Sequence, residues 1–306
     1  MTTDRRGFVY GVWAYALWGL LPLYWPHLEP AGAPEVLAHR VIWSSLFAAL
    51  MVWLLARRGG AALEGLRALR TDRRQLRLLT AAGVLIGANW LIYIWAVNHD
   101  HVVETALGYY INPLMTITVA VLVLGEQLRA PQWSAIGIAG AGVVVLTIGY
   151  GRLPWIALCL AVSFAAYSLI KKTVGVGALE GLTVETAVLL PPALIFLAVL
   201  TAGGDAEFGH HGAGHALLMS CAGLATLAPL LLFAGAARRV SLSTLGMLQY
   251  LAPTLQFLIG VLINHEPLPP ERLAGFALVW TALVVLTVDG VHHQRRTLRI
   301  ATQAPV

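Results

Sequence analysis

Polar and charged side chains fall in short clusters along this chain, and long apolar stretches run between them. Bounded by glycine, proline or charge, ten such stretches stand out, near 7–25, 35–56, 76–97, 104–124, 131–149, 153–171, 181–201, 214–236, 243–263 and 271–290. At about 1.5 Å per helical residue, each is long enough to cross a hydrocarbon layer roughly 30 Å thick. Backbone groups in that layer must find partners within their own segment, so the pattern predicts an all-α polytopic membrane protein with ten transmembrane helices. Pro191 and Pro192 stand in the middle of the seventh stretch and predict a kink there. Residues Met1–Arg6 resemble the basic start of a signal peptide. The apolar run from Gly7 continues to Trp25 and Pro26 without a small-residue cleavage site, so it reads as a retained first helix.

Composition agrees with the pattern. Of 306 residues, 58% are apolar and 11% are charged, less than half the roughly 25% charge of a soluble domain. What lies outside the stretches is too short to hold a soluble catalytic domain. The net charge of +5 gains meaning once the stretches are laid across a bilayer. With the N-terminus inside, seventeen Lys and Arg fall on the cytoplasmic side against Arg152 and Arg272 outside, while Arg40 lies within a span. That asymmetry predicts a multi-pass protein of the cytoplasmic membrane with both termini cytoplasmic. The basic residues therefore serve orientation and imply no nucleic-acid partner. The basic loop from Arg57 to Arg77 suits anionic lipid head groups. Cys159 and Cys221 both lie in apolar runs and suggest neither a disulfide framework nor a metal spacing.

Sliding the chain by 140 residues against itself brings Ala82-Gly83 onto Ala222-Gly223, Tyr110 onto Tyr250, Pro113 onto Pro253 and Glu126 onto Glu266. The match continues to Val144-Val145-Leu146-Thr147 on Val284-Val285-Leu286-Thr287. It pairs the third to fifth stretches with the eighth to tenth, so each half, 1–150 and 151–306, holds five spans. An odd number per half turns the second half over. Two inverted five-helix repeats are the mark of secondary transporters that rock about a midplane site.

Four stretches carry a more specific likeness. They are Glu35-Val36-Leu37-Ala38-His39-Arg40-Val41-Ile42-Trp43-Ser44, Gly87-Ala88-Asn89-Trp90-Leu91-Ile92-Tyr93-Ile94-Trp95-Ala96-Val97-Asn98, Glu104-Thr105-Ala106-Leu107-Gly108-Tyr109-Tyr110-Ile111-Asn112-Pro113-Leu114 and Leu245-Gly246-Met247-Leu248-Gln249-Tyr250-Leu251-Ala252-Pro253-Thr254. In these the chain resembles the RarD family, the chloramphenicol-sensitive proteins in the EamA branch of the drug/metabolite transporter superfamily. The resemblance covers nearly the whole chain. It implies ten helices, cytoplasmic termini and export of small metabolites or drugs. Asn264-His265-Glu266 departs from the small or aromatic residue usual for the family before that glutamate.

Several polar residues lie where a carrier would place its site. Arg40 is five residues beyond Glu35 in the second span. It is read either as snorkelling to the outer interface or as facing inward, where it would contact an anionic group or pair with Glu104. His39 beside it reads as a packing residue. Asn89 and Tyr93 share a helix face. With Tyr110, Asn112, Gln249 and Tyr250, and with Tyr15, Trp18 and Tyr167, they outline a polar and aromatic chamber. The bland alternative is hydrogen bonding that holds the bundle together. The expected substrate-binding set is Trp18, Arg40, Asn89, Tyr93, Glu104, Tyr110, Asn112, Gln249 and Tyr250.

Glu126 and Glu266 are expected to cap the proline-opened helices that follow them, with gating as the alternative. Gly7 with Gly11, and Gly83 with Gly87, are spaced for close helix packing. Metal capture by His210, His211 and His215 would lack carboxylate or thiolate partners, so these read as solvated loop residues. No phosphate-binding loop, H-E-x-x-H pair or G-x-S-x-G elbow is present, so neither a cofactor nor ATP-driven or hydrolytic chemistry is implied. A membrane-embedded transferase and a passive channel are the alternatives to a carrier.

Overall fold

The computed structural model describes residues 4–57, 72–125, 127–174, 177–240 and 242–303. Most of the Arg57–Arg77 loop, and Glu126, lie outside them. The described residues are helical throughout, without strands: α1 Arg5–Leu20, α2 Ala33–Ala56, α3 Arg73–Val97, α4 Val102–Leu124, α5 Ala130–Tyr150, α6 Trp155–Val174, α7 Ala178–Gly203, α8 Gly212–Ala237, α9 Leu242–Leu248, α10 Leu251–Leu258 and α11 Pro270–Gln303. Among them are nine segments long and apolar enough to cross a membrane, with α9, α10 and the following turn counted together over Thr244–Ile263. The helix α1 has 16 residues and passes into two short 3₁₀ turns, Leu21–Leu23 and Trp25–Leu28.

Local chemistry sets several boundaries. Asp72 accepts from the backbone N–H groups of Arg74 and Gln75 and so caps α3. Gly125, Gly151 and Gly204 end α4, α5 and α7 in the left-handed conformation that glycine adopts without strain. The seventh stretch forms one helix, α7, that carries Pro191 and Pro192 in its interior. Each proline removes one backbone donor and crowds the carbonyl four residues back, and the helix nevertheless continues past both. The interruption falls in the ninth stretch, where the helix stops at α9, turns at Gln249 and Tyr250, restarts as α10 and ends in a π-helical turn over Ile259–Ile263. Pro253 cannot donate to the carbonyl four residues back, which is that of Gln249.

The extensive helix contacts join the first five helices to the later ones: α1 with α8 and α10, α2 with α7 and α8, α3 with α6 and α7, α4 with α6 and α10, and α5 with α11. Small residues allow these crossings. A Cβ on Gly223 would lie 2.5 Å from the Trp43 carbonyl carbon of α2, and one on Gly83 would lie 3.2 Å from the Glu185 backbone oxygen of α7. Gly7, Gly11 and Gly87 likewise press on Arg239, Leu248 and Leu189. Large apolar side chains such as Leu122, Ile148 and Val199 point away from the bundle and are largely exposed, as a lipid-facing surface requires.

The α2–α8 crossing yields a test. Gly223→Ala should overpack it and cost about 1–3 kcal/mol, lowering the thermal unfolding temperature in detergent. Gly137→Ala, whose Cβ meets nothing within 4 Å, should be neutral or gain up to about 1 kcal/mol from helix propensity.

Candidate functional site

The arginine of α2 lies inside the bundle, 4% exposed. It is seven residues along the helix from Ala33, about 10 Å at the usual rise. Its Nε donates to Thr226 Oγ1 of α8 at 2.7 Å. Its guanidinium carbon stands 4.0 Å from the ring centre of Trp90 and 5.3 Å from that of Trp25, within cation–π range. Tyr93 and Tyr109 meet edge to face at 5.7 Å and, with Tyr24, are the ionisable neighbours of the guanidinium. Four elements thus converge on it: the 3₁₀ turn, α3, α4 and α8.

Glu104 is elsewhere, and the expected Arg40–Glu104 pair does not form. Glu104 accepts from Arg152 Nη2 at 2.7 Å and from the Ile156 amide at 3.0 Å, at the start of α6. Arg152 stands outside the apolar run, where it can reach the end of α4 without burying its own charge. Two further carboxylates make similar bonds. Glu35 accepts from the amides of Glu207 and Phe208 at 2.9 and 3.0 Å. Glu266 accepts from the amides of Val102 and Val103 at 2.6 and 3.1 Å. Glu266 therefore caps α4, not the helix that follows it in sequence. All three stitches lie at the same end of the bundle, and each joins the first five helices to the later part of the chain.

The remaining predicted residues divide. The Asn89 amide donates to the Leu160 carbonyl at 3.1 Å and to Ser163 Oγ at 2.9 Å, tying α3 to α6 as the packing alternative requires. Trp18 lies against Tyr15 and Phe233, and its carbonyl accepts from Gln256. Tyr110 bonds Thr254 at 2.8 Å. With Tyr250, Trp280, Leu283 and Thr287 it lines a cleft of about 510 Å³ beside α11. Gln249 and Thr287 adjoin the Tyr250 hydroxyl, while the buried Asn112 Oδ1 has no partner. Arg40 and Tyr93 thus belong to one cluster, and Tyr110, Gln249 and Tyr250 to another.

Sequence reasoning left Trp25, Thr226, Thr254 and Trp280 out of the site, because nothing in their local spacing marks them. It also missed Glu185 of α7, buried with its carboxylate 2.7 Å from Lys171 Nζ and 3.2 Å from the Tyr167 hydroxyl. His39 stacks on Phe208 at 4.3 Å, a packing role as expected. His211 pairs with Glu207, and His215 meets the Leu28 carbonyl.

Glu266 is the carboxylate whose titration can be read. Its two amide donors favour the anion, but burial outweighs them and raises its pKa to about 7 from 4.5. A raised carboxylate pKa means that the folded protein takes up a proton more readily than the unfolded chain, so stability is greatest in acid and falls as pH rises through about 7. We therefore expect wild type to lose thermal stability relative to Glu266→Gln between about pH 4.5 and 7. Parallel melting curves across that range would contradict the assignment.

Comparison with known proteins bears on the whole bundle. Residues 5–148 match the model of the EamA-like transporter family. The chain is 53% identical to Protein RarD of Streptomyces exfoliatus over 303 residues, covering 99% of this chain and 95% of that one. It is 43% identical to an uncharacterized transporter of Pseudomonas aeruginosa over 292 residues, covering 95% and 96% of the two chains. A solved crystal structure shares the fold with a TM-score of 0.57 at 18% identity, covering 92% of this chain and 97% of that one.

Proposed function

Because the chain belongs to the RarD family of EamA-like membrane transporters, we propose that it is a secondary carrier built from two inverted five-helix halves, residues 1–150 and 151–306. The two halves rock about a site between them and export small metabolites or drug-like molecules. Transport also accounts for the missing nucleotide-binding and catalytic motifs, since a carrier uses a gradient and needs neither.

The observation that carries this reading is the exchange symmetry of the helix contacts. With α9 and α10 taken as one broken span, swapping the halves turns α1·α8 into α3·α6, α1·α10 into α4·α6 and α2·α8 into α3·α7. It leaves α2·α7, α4·α10 and α5·α11 each on itself. A pseudo-twofold axis in the membrane plane produces such a set. Gly83 and Gly223, matched by the sequence shift, sit at the corresponding crossings α3·α7 and α8·α2. Membrane carriers often break a helix at the substrate site, which gives the turn at Gln249 and Tyr250 its place in the scheme.

The basic asymmetry puts both termini on the cytoplasmic side. The Glu35, Glu104 and Glu266 stitches then close the outer mouth, and their release is the step that opens it. Trp18, Arg40, Tyr93, Tyr110, Asn112, Gln249 and Tyr250 are the residues we place along the substrate route. Asn89 and Glu104 position the helices that carry them. The Arg57–Arg77 loop, facing the cytoplasmic leaflet, suits anionic lipid head groups.

In reconstituted vesicles a panel of metabolites and drugs should give saturable flux with counterflow. Flux that neither saturates nor shows counterflow would mean a channel, and product formation in detergent would mean a transferase. In a background lacking Cys159 and Cys221, single cysteines at Asp100 and Glu207 should label from outside, and one at Gln294 from inside. Labelling of Glu207 and Gln294 from the same side defeats the ten-span arrangement.

A further inference from the structure

Of the buried Arg and Glu side chains among the described residues, Glu35, Glu104 and Glu185 are each met by backbone amides or a basic group. Arg40 is the exception. No carboxylate among the described residues lies within ion-pairing distance of it, and its Nη1 is buried without any acceptor. Arginine stays protonated in proteins, so the charge cannot be shed by losing a proton. The Trp90 face and the Thr226 hydroxyl attract it, but cation–π attraction is smaller than the desolvation cost of an ion.

The surroundings repeat the imbalance. Trp25 Nε1 and the Tyr93 hydroxyl are also buried without partners; the Trp25 ring lies 5.3 Å from the guanidinium carbon, and Tyr93 follows Trp90 by one turn on α3. Three donors without hydrogen-bond partners thus belong to Arg40 and the residues around it. A ligand that satisfied them would bring oxygen acceptors and negative charge. A carboxylate matches the planar fork of a guanidinium through paired N–H···O bonds, and the indole and phenol faces beside it offer flat apolar walls.

We infer that Arg40, Trp25, Trp90 and Tyr93 form the binding site for the carboxylate of a small organic anion with an apolar body. That such an anion is also carried across the membrane rests on the carrier reading above; its binding does not. The site is 4% exposed at Arg40, so the structure corresponds to its occluded form, and entry requires the helices to part.

The test uses the full chain in nanodiscs of phosphatidylcholine, with benzoate as probe and benzamide as its uncharged analogue of similar shape. Benzoate should quench tryptophan fluorescence saturably and raise the melting temperature, and benzamide should bind at least tenfold more weakly. Arg40→Gln should lose at least tenfold in benzoate affinity while melting no lower than wild type, since an uncompensated charge has been removed. Arg40→Lys, which retains charge without the planar fork, should lose affinity several-fold and provides the test should Arg40→Gln not fold.

Equal binding of benzoate and benzamide, no saturable benzoate effect, or full affinity in Arg40→Lys overturns the proposal. So does competition by phosphatidylglycerol through Arg40, which would make the occupant a lipid head group. Benzoate binding without any vesicle flux would sink the carrier reading and leave this site standing. Counterflow of uncharged solutes with no preference for anions would do the reverse.

Discussion

The close crossing of α8 over α2 at Gly223 is the constraint on which the rest of the site depends. In a bilayer the lipid tails are as apolar as the side chains, so helices gain little from hiding leucine and instead associate through tight backbone approach. Gly223 has no Cβ and lets α8 come against the Trp43–Ser44 backbone. Three residues away on each helix, Arg40 and Thr226 meet. Without that approach the guanidinium would lack its hydroxyl partner on α8.

The same crossing recurs in the other half of the molecule at Gly83 and α7, but with different chemistry near it. Close to the first crossing is a buried cation with unmet donors. At the second, Glu185 is compensated by Lys171 and Tyr167. The two crossings therefore share close backbone approach while the polar groups near them differ.

At the end of the bundle formed by the loops around residues 98–101, 204–211 and 264–269, three glutamates hold backbone amides across the molecule. Each bond satisfies donors that a helix start or turn leaves free. Each also joins one of the first five helices to the later part of the chain. These hydrogen bonds to carboxyl oxygens are ones that water can replace at an aqueous boundary. Apolar packing there would be harder to undo at an aqueous boundary.

Hydropathy and length made the helical class and most helix limits legible in the sequence, because a segment in hydrocarbon must satisfy its own backbone whatever its neighbours do. The 140-residue match made Gly83 and Gly223 stand out as a pair, and Arg40 was visible as a charge inside an apolar run. The partners were not visible. Glu104 goes to Arg152 instead of Arg40, Glu266 caps α4 across the bundle, and Asn89 braces α6. The break at Gln249 and Tyr250 likewise escaped residue-by-residue reading. One buried polar group can meet several others of suitable chemistry, and local sequence scores them alike. The choice among them is made by which backbones the glycines allow to approach, a property of the folded bundle and not of any single stretch.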